Sequence, residues 1–339
     1  GKTGHALDGS THKFVAHPQP LFGLTIQFVF YRLLIYHIRG GLLPGSEQGI
    51  SMDISGTTKI VGLFGYPVHH SLSPAMHNAA FEALGLDYVY VPLEVRPEDL
   101  EDAVRSLISI GIVGVNVTIP HKEKVIPFLD EISPEAELIG SVNTIQVKDR
   151  RLIGYNTDAF GFETAVRQGL GLEFRSRRIF VMGAGGVSRA VCFQAAISGA
   201  DEIIIADIET GRAENLCRAV ARKFPSCRIE TCPAEAAAIQ RGLAGKDLFV
   251  NATPVGMKPG DAPVIHTNWL SPGTAVFDLV YNPEETILLR EVRKRGLRAV
   301  NGTVMLVYQG AKTFEILTGK QPSVEIMLRV LKEKLAGHQ

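Results

Sequence analysis

The sequence predicts an α/β protein built from two layered domains. From residue 59 onward, short apolar runs alternate with amphipathic stretches, which is typical of a largely parallel sheet covered by helices on both faces. A second series of such runs starts at "RRIFVMGAGG" and continues through "EIIIADIE", "DLFVNATP" and "TAVFDLVY". The length of 339 residues is about twice that of a usual domain and agrees with this division.

The elements of the first series follow in a regular order. "KIVGLFG", "YVYVPLEV" and "GVNVTIP" read as strands, and "SPAMHNAAFEALGL", "PEDLEDAVRSLISIG" and "HKEKVIPFLDEIS" read as the helices that follow them. The boundary between the two predicted domains lies near Asp158. The tail from Gly302, "VMLVYQGAKTFEILTG", is again predicted to be helical, and its pattern does not decide which of the two domains it packs on.

The first 51 residues differ from the rest of the chain. They hold four of the ten histidines and one apolar run that Gln27, Arg32 and His37 interrupt. A membrane span needs about 20 mostly apolar residues, and a secretory signal needs a basic start and a small-residue cleavage site. Neither pattern is met well, so we interpret residues 1–51 as an appended, disordered or non-native leader.

Charge and cysteine content narrow the class of partner. The 35 basic and 35 acidic residues cancel, which removes the electrostatic argument for a nucleic-acid partner and favours a small molecule. The four cysteines form no CxxC pair and join no histidine cluster. We therefore expect reduced cysteines, no metal site and no membrane contact in a cytoplasmic protein that is a monomer or a homodimer.

A cofactor site is predicted in "RIFVMGAGGVSRAVCFQAAISGA", which reads as a strand, a glycine turn and a helix. Glycine lets the backbone approach a pyrophosphate, whose charge is met by the amides at the start of the helix. This pattern is typical of a Rossmann-type dinucleotide-binding domain. The candidate contacts are Gly183, Ala184, Gly185, Gly186 and Val187; the alternative is a tight turn without a ligand.

The next strand indicates which dinucleotide binds. It ends at Asp207, which lies 19 residues beyond Ser188, the distance at which an acid accepts hydrogen bonds from the adenosine ribose. Asp207 and Glu209 would repel a 2′-phosphate. Arg212, the only nearby cation, is either a cofactor contact or an exposed helix residue. The expected cofactor is NAD, with NADP as the alternative.

The segment "GVNVTIPHKEK" supplies a candidate acid or base. Moving a hydride from an alcohol carbon requires that the hydroxyl proton also leaves, so a positioned group must take it. Pro120 suits the first position of a helix, which would place Lys122 in the first turn, the electrostatically unfavourable end for an ammonium group. The alternative for Lys122 is a solvated surface amine.

Several separated motifs together resemble the shikimate dehydrogenase family over nearly all of Met52 to Gln339. They are "SLSPAMHNAAF", "GVNVTIPHKE", "GSVNTI", "GYNTDAFGF", "GAGGVSRA", "NATPVGM", "DLVYNPEETILL" and "VYQGAKTFEILTG". The resemblance implies reversible reduction of 3-dehydroshikimate to shikimate with a nicotinamide cofactor. It also implies a substrate domain of residues 52–157 plus 302–339, to which the C-terminal helices return, and a Rossmann domain of residues 158–301.

The resemblance assigns roles to particular residues. Lys122 would form a catalytic pair with Asp158, whose alternative role is the N-cap of the helix that follows it. The substrate would contact Ser71, Ser73, Asn116, Thr118, Asn143, Tyr281 and Gln309. The cofactor would also contact Thr253, Leu279, Gly302 and Met305. Ser73 alone would make a good N-cap before Pro74, and strand-end hydrogen bonding is a nearly equal alternative for Asn116.

Three readings of the function remain open. NADP-dependent members typically carry Asn-Arg-Thr where this chain has Asp207-Ile208-Glu209, so it is similar to the NAD-using quinate/shikimate branch, with quinate as a second substrate. A catalytically silent NAD-sensing protein is the second reading, which intact Lys122 and Asp158 oppose. A folate-type dehydrogenase is the third, which the paired serines and the "YQGA" segment oppose.

Overall fold

The structure is a computed structural model that describes residue 1, residues 54–258 and residues 260–337. The described residues from 54 onward belong to one compact unit, Met52–Gln339. The predicted leader, residues 1–51, lies outside the described residues apart from Gly1. None of the helices within the described ranges combines the length and the apolar character that a membrane span requires.

The first sheet has six strands in the order β2-β1-β3-β5-β6-β4. The strands are β1 (Lys59–Gly65), β2 (Tyr88–Glu94), β3 (Gly114–Val117), β4 (Glu131–Ile132), β5 (Thr144–Lys148) and β6 (Arg151–Tyr155). The helices between them are α1 (Ser73–Ala83), α2 (Leu100–Ser109) and α3 (Pro134–Ile139). Strand β1 pairs in parallel with β2 and β3, and β4 pairs in parallel with β6.

A hairpin interrupts the parallel order of this sheet. Strand β5 is antiparallel to both β3 and β6, and only Asp149 and Arg150 connect β5 to β6. Both residues have positive φ, 50° and 58°, which is the backbone of a two-residue type I′ hairpin turn. As a result, β1, β3 and β6 all end at the same edge of the sheet, where β5 begins.

The second sheet is entirely parallel, in the order β12-β11-β10-β7-β8-β9. Its strands are β7 (Arg178–Met182), β8 (Glu202–Ala206), β9 (Arg228–Cys232), β10 (Leu248–Asn251), β11 (Ala275–Asp278) and β12 (Ala299–Asn301). Its helices are α4 (Asp158–Leu170), α5 (Gly186–Ile197), α6 (Thr210–Lys223), α7 (Ala236–Leu243) and α8 (Ile287–Lys294). Numbered within this half, the strand order is 3-2-1-4-5-6, the order of a Rossmann sheet.

The last two helices return to the first sheet, as predicted. They are α9 (Thr303–Thr318) and α10 (Val324–Ala336). Phe314 and Leu331 share one buried cluster with Val61, Phe81 and Tyr90 of the first sheet and its helix α1. The predicted fold class is therefore confirmed: an α/β protein with a mainly parallel first sheet, a Rossmann-type second sheet and C-terminal helices packed on the first.

The predicted helix over "HKEKVIPFLDEIS" is wrong. Residues 122–125 form turns, Ile126–Phe128 is a single 3₁₀ turn, and Glu131–Ile132 is a short strand. Pro127 explains the difference, because proline has no backbone N–H and disfavours helical backbone in the residue before it. Lys122 therefore lies in a turn, and the argument from a helix dipole does not apply to it.

The predicted N-cap of α1 is also wrong in detail. Leu72 occupies the cap position and makes no side-chain hydrogen bond to the first turn, and Ser73 is already helical. The hydroxyl of Ser71 accepts a hydrogen bond from the Ser73 amide at 3.3 Å instead. Pro74 suits the first turn because its missing N–H would have no helical partner there. The Ser73 hydroxyl is thus not committed to the cap.

Candidate active site

Lys122 and Asp158 form an ion pair at the shared edge of the first sheet. Lys122 Nζ lies 2.5 Å from Asp158 Oδ2, and the two side chains are 14% and 7% exposed. Lys122 comes from the turn after β3, and Asp158 is the first residue of α4, directly after β6. Because β3 and β6 end at the same edge, residues 36 positions apart meet there.

The carboxylate of Asp158 does not cap its own helix. Asn156 Oδ1 accepts hydrogen bonds from the amides of Asp158 and Ala159, at 3.1 and 3.3 Å. Asn156 Nδ2 in turn donates to the carbonyl of Ser141 at 2.9 Å. Asp158 Oδ2 is thereby left for Lys122, and the alternative role of Asp158 as a capping residue is not what the structure shows.

Asn143 holds the other oxygen of Asp158. Its Nδ2 donates to Asp158 Oδ1 at 2.9 Å and to Thr157 Oγ1 at 2.9 Å. Its Oδ1 accepts from the backbone amide of Thr157 at 2.8 Å, which fixes the orientation of the side-chain amide. The Asp158 carboxylate is therefore fixed from one side by Asn143 and from the other by Lys122.

Other predicted substrate contacts lie around the same edge. Ser71 and Ser73 follow the end of β1, and Thr118 follows the end of β3. Ser71 and Thr118 are half-buried, and Ser73 is buried at the start of α1. The backbone amide of Thr118 donates to the Phe64 carbonyl at 2.8 Å, and its carbonyl accepts from the His121 amide at 2.9 Å. These two hydrogen bonds fix the position of the Thr118 backbone from which the side chain extends.

Asn116 is already occupied by protein groups. Its Oδ1 accepts from the hydroxyl of Tyr90 at 2.8 Å, and its Nδ2 donates to the Asn143 carbonyl and to Thr313 Oγ1, both at 3.1 Å. The side chain is buried. These contacts favour the interpretation that Asn116 supports the strand ends over direct contact with a substrate.

Gln309 and Tyr281 reach the first sheet from elements beyond it. Gln309 Nε2 donates to the Leu306 carbonyl of its own helix at 2.8 Å, and Gln309 Oε1 lies 3.5 Å from Asn143 Nδ2. Tyr281 follows β11 and packs against the buried cluster of the first sheet. Burial raises the pKa of Tyr281 above its ordinary value.

The predicted cofactor loop lies beside Lys122. Gly183 has φ of +106°, and a methyl group on it would lie 2.7 Å from the carbonyl oxygen of Ala252, so glycine is required. A methyl group on Gly185 would meet no atom of the described residues within 4 Å. One on Gly186 would lie 3.6 Å from Lys122 Cδ. The lysine stem therefore runs along the start of α5.

This start of α5 fits a pyrophosphate. Gly185 is the cap residue and has no side chain to bond the first amides of the 12-residue helix, while Val187 packs into the core beneath. Those unbonded amides and the open space at Gly185 are what an anion at a helix start requires. The residues present therefore fit the phosphates of a dinucleotide.

The end of β8 carries the predicted ribose contact. Asp207 Oδ2 accepts from the amide of Ala184 at 2.7 Å, and its Oδ1 accepts from the amide of Glu209 at 2.8 Å. Ile208 is 91% exposed. Arg212 Nε lies 2.9 Å from Glu209 Oε2, so the nearest cation already has an anionic partner.

The remaining predicted cofactor contacts follow the carboxyl ends of β10, β11 and β12. Thr253 donates its hydroxyl proton to Asn251 Oδ1 at 2.7 Å. A methyl group on Gly302 would lie 2.1 Å from the carbonyl oxygen of Leu279, so the chain passes from β12 into α9 in close backbone contact with β11. Met305, in the first turn of α9, is buried in the core of the second sheet.

The histidines near the site stand apart from the ion pair. His121 is buried and its Nε2 lies 2.7 Å from the Val95 carbonyl, whereas His69 and His70 are exposed. All three lie outside helices and strands.

Sequence reasoning missed several residues that hold the site. Asn156 could have been found, because an asparagine two residues before a helix often bonds the amides ahead of it. Tyr90, Thr144, Thr157 and Thr313 gave no local signal. Arg189 also gave none, yet its Nε donates to the Ile139 carbonyl at 2.9 Å and so ties α5 to the last turn of α3.

Two family models and curated relatives match this chain. A family model described as the shikimate dehydrogenase substrate binding domain matches residues 63–145, and one described as the shikimate 5′-dehydrogenase C-terminal domain matches residues 302–332. Shikimate dehydrogenase (NADP(+)) from Methanopyrus kandleri is 46% identical over 290 residues, which cover 85% of this chain and 100% of the relative.

Solved structures agree with these matches. Shikimate 5-dehydrogenase from Listeria monocytogenes, in complex with shikimate and NAD, has a TM-score of 0.77 and 36% identity, covering 85% of this chain and 99% of that one. Quinate dehydrogenase from Corynebacterium glutamicum, in complex with NAD, has a TM-score of 0.76 and 31% identity, covering 81% of this chain and 99% of that one.

Fold, site and comparisons together define an oxidoreductase that acts on a CH–OH group. The chain belongs to the shikimate dehydrogenase family.

Proposed function

We propose that this chain interconverts shikimate and 3-dehydroshikimate with a nicotinamide cofactor and that it prefers NAD to NADP. In this proposal, residues 52–157 with 302–339 hold the substrate, and residues 158–301 hold the cofactor. The observation that carries the proposal is the Lys122–Asp158 pair beside the start of α5. A proton-transfer group and a phosphate-binding helix start are the two parts that alcohol oxidation by a dinucleotide needs. A cytoplasmic location remains a prediction of the sequence.

In the proposed mechanism, Lys122 and Asp158 manage the proton of the substrate hydroxyl. When shikimate is oxidised, the amine of Lys122 takes the hydroxyl proton as the C–H hydride leaves; in the reverse direction its ammonium group returns a proton to the carbonyl oxygen. A bound nicotinamide ring supplies the hydride acceptor or donor. Asp158 orients Lys122, and Asn143 fixes Asp158.

Substrate binding is assigned to the groups around this pair. The hydroxyls of Ser71 and Ser73, near the start of α1, suit the carboxylate of shikimate, because a helix start favours an anion. Thr118, Asn143, Tyr281 and Gln309 are proposed to bind the ring hydroxyls. Asn116 is proposed to act mainly by support, since Tyr90 and Thr313 engage its side chain.

Cofactor binding is assigned to Gly183–Val187, Asp207, Thr253, Leu279, Gly302 and Met305. The NAD preference rests on charge near the ribose. Asp207 is held by two backbone amides, and Arg212 is paired with Glu209. A 2′-phosphate would meet two carboxylates and the apolar side chain of Ile208, whereas ribose hydroxyls can donate to Asp207. The Methanopyrus kandleri relative is named as NADP-dependent, so the proposal depends on these residues of this chain.

The test is a matrix of kcat/KM values for shikimate and quinate, each with NAD and NADP. We expect turnover of shikimate and an NAD rate at least about tenfold above the NADP rate, equivalent to about 1.4 kcal/mol. An NADP rate equal to or above the NAD rate would contradict the cofactor assignment. Absence of turnover with both acids would contradict the enzymatic function and favour an NAD-sensing or folate-type protein.

Quinate is the second substrate to be measured in the same matrix. The similarity to an NAD-bound quinate dehydrogenase supports its inclusion. Because quinate carries an extra hydroxyl beside its carboxylate, discrimination between the two acids is expected to depend on the surroundings of Ser71, Ser73 and Gln309.

A further inference from the structure

Thr313 occupies a central place beneath the Lys122–Asp158 pair. It is fully buried on α9, one helical turn after Gln309. Its Oγ1 lies 2.8 Å from Thr144 Oγ1, 3.1 Å from Asn116 Nδ2 and 3.2 Å from Thr157 Oγ1. One hydroxyl thus joins helix α9 to the end of β3, the start of β5 and the start of α4.

The direction of these hydrogen bonds follows from counting protons. Tyr90 donates to Asn116 Oδ1, so Asn116 must point its Nδ2 protons towards Thr313 and the Asn143 carbonyl. The oxygen of Thr313 therefore accepts from Asn116. Its single proton is free for the hydroxyl of Thr144 or Thr157, both of which are buried.

The path continues to the catalytic carboxylate. Thr144 Oγ1 donates to Asn143 Oδ1 at 3.2 Å, and Asn143 Nδ2 donates to Asp158 Oδ1 at 2.9 Å. Each member of the path donates a hydrogen bond to the next member in the direction of Asp158, and hydrogen bonds arranged in this way polarise one another. Asp158 also receives Lys122 Nζ on its other oxygen.

We propose that Thr313 is a positioning residue, which sets the orientation of Asp158 through Thr144 and Asn143 and fixes α9 so that Gln309 faces the same site. This proposal rests on the proposed function of the Lys122–Asp158 pair. Removing the hydroxyl leaves Asn116, Thr144 and Thr157 without a shared partner in a buried region, where unpaired polar groups are costly. Asn143 and Gln309 then lose their fixed relation to Asp158.

The test makes two comparisons in which the proteins differ mainly in one hydroxyl. The first compares the parent with Thr313→Val, which keeps the shape of the side chain. The second compares Thr313→Ser with Thr313→Ala, which both lack the methyl group but differ in the hydroxyl. The control is Thr318→Val on the same helix, because among the described residues the Thr318 hydroxyl bonds only the local carbonyls of Phe314 and Lys320 and the Lys320 amide. The readouts are kcat and KM with shikimate, the dissociation constant of NADH by fluorescence, and the melting temperature.

We expect Thr313→Val and Thr313→Ala to lower kcat about tenfold, with Thr313→Ser and Thr318→Val within about twofold of the parent. The NADH dissociation constant should stay within about twofold in all four, because none of the hydrogen bonds of the network involves an amide at the start of α5. If Thr313→Val fails to fold, the comparison of Thr313→Ser with Thr313→Ala carries the test.

Two results would overturn the proposal. One is a kcat of Thr313→Ala close to that of Thr313→Ser; the other is an equal loss in kcat and in NADH binding, which would indicate general loosening of the fold. The rate of the parent enzyme with shikimate separately reports the proposed function, so an inactive parent is distinguished from an unimportant Thr313.

Discussion

Asn156 Oδ1 bonds the amide of Asp158 at 3.1 Å, so a side chain two residues earlier caps the helix that Asp158 begins. The segment from Asn156 to Asp158 therefore both stabilises the start of α4 and supplies the carboxylate that pairs with Lys122. An aspartate at a helix start would ordinarily bond the first amides itself. With Asn156 in that role, both oxygens of Asp158 are available to Lys122 and Asn143.

Asn156→Ala should therefore lower both stability and turnover. Loss of a cap costs about 0.5–2 kcal/mol of unfolding free energy, and the released Asp158 should lower kcat as well. Chemical denaturation and steady-state kinetics with shikimate measure the two effects. Ser133→Ala, which removes the cap of α3, is the matched control and should lower stability only. Equal kcat values for the two variants would contradict the role of Asn156.

Lys122→Ala should abolish most of the turnover while ligands still bind. A positioned acid or base contributes about two to four orders of magnitude to the rate, and kcat should fall by that factor. NADH fluorescence should still report binding, because the amides at the start of α5 remain. Lys124→Ala, at an exposed position two residues later, should keep the parent rate. Turnover of Lys122→Ala near the parent value would remove Lys122 from its role.

The double variant Asp207→Ser with Ile208→Arg should shift cofactor preference towards NADP. It removes one carboxylate from the proposed ribose site and adds a guanidinium group, which binds phosphate with two parallel hydrogen bonds. We expect the ratio of kcat/KM for NADP to that for NAD to rise by about one to two orders of magnitude. Glu214→Gln, on the exposed face of α6, should leave the ratio unchanged. An unchanged ratio in the double variant would refute the assignment of this site.

His77 should make the protein less stable in acid. Burial lowers the pKa of His77 to about 3, since the ring lies in the apolar core. There it stacks on Tyr90 with 4.4 Å between the two ring centroids. Below the unfolded pKa of about 6.5, the unfolded chain binds a proton that the folded one does not, so unfolding free energy falls as pH falls. The loss reaches about 2 kcal/mol at pH 5.

His77→Phe should remove this acid-dependent loss. A phenyl ring suits the stack with Tyr90, Phe81 and Phe314 and carries no proton. Denaturation at pH 7.5 and pH 5 should show a smaller decrease for the variant, by about 2 kcal/mol, while the exposed His266→Phe behaves as the parent. Identical decreases for His77→Phe and the parent would show that His77 is not the group responsible.

The parts of the fold that depend on repeated local patterns could be predicted. Apolar strands followed by amphipathic helices indicated both sheets, and the glycine turn after β7 indicated the Rossmann-type order of strand, turn and helix, whereas dinucleotide binding there stays a prediction. Asp207 at the end of β8 followed from its spacing. The Lys122–Asp158 pair needed the family resemblance, because no local pattern relates residues 36 positions apart.

Other features depend on tertiary contacts or unusual backbone and could not be read in this way. The hairpin at Asp149 and Arg150 lacks the glycine or asparagine that marks a type I′ turn. Pro127 limits the helix predicted around Lys122 to the single 3₁₀ turn Ile126–Phe128. Thr313 is one of many threonines, and only the packing of α9 against the first sheet brings it to Asn116 and Thr144.

Helix α9 links the two sheets in a way that limits how the chain can be divided. It starts at Gly302, against the backbone of Leu279, and ends among the core residues of the first sheet. A fragment that stops at Asn301 would keep the twelve strands found in the described part of the chain but would lack Gln309 and Thr313. Such a truncated protein would keep the six strands of the second sheet but would lose Met305 from its core and the α9 residues of the proposed substrate site. The first half comes from two separate segments of the chain and therefore cannot be expressed whole as one uninterrupted piece.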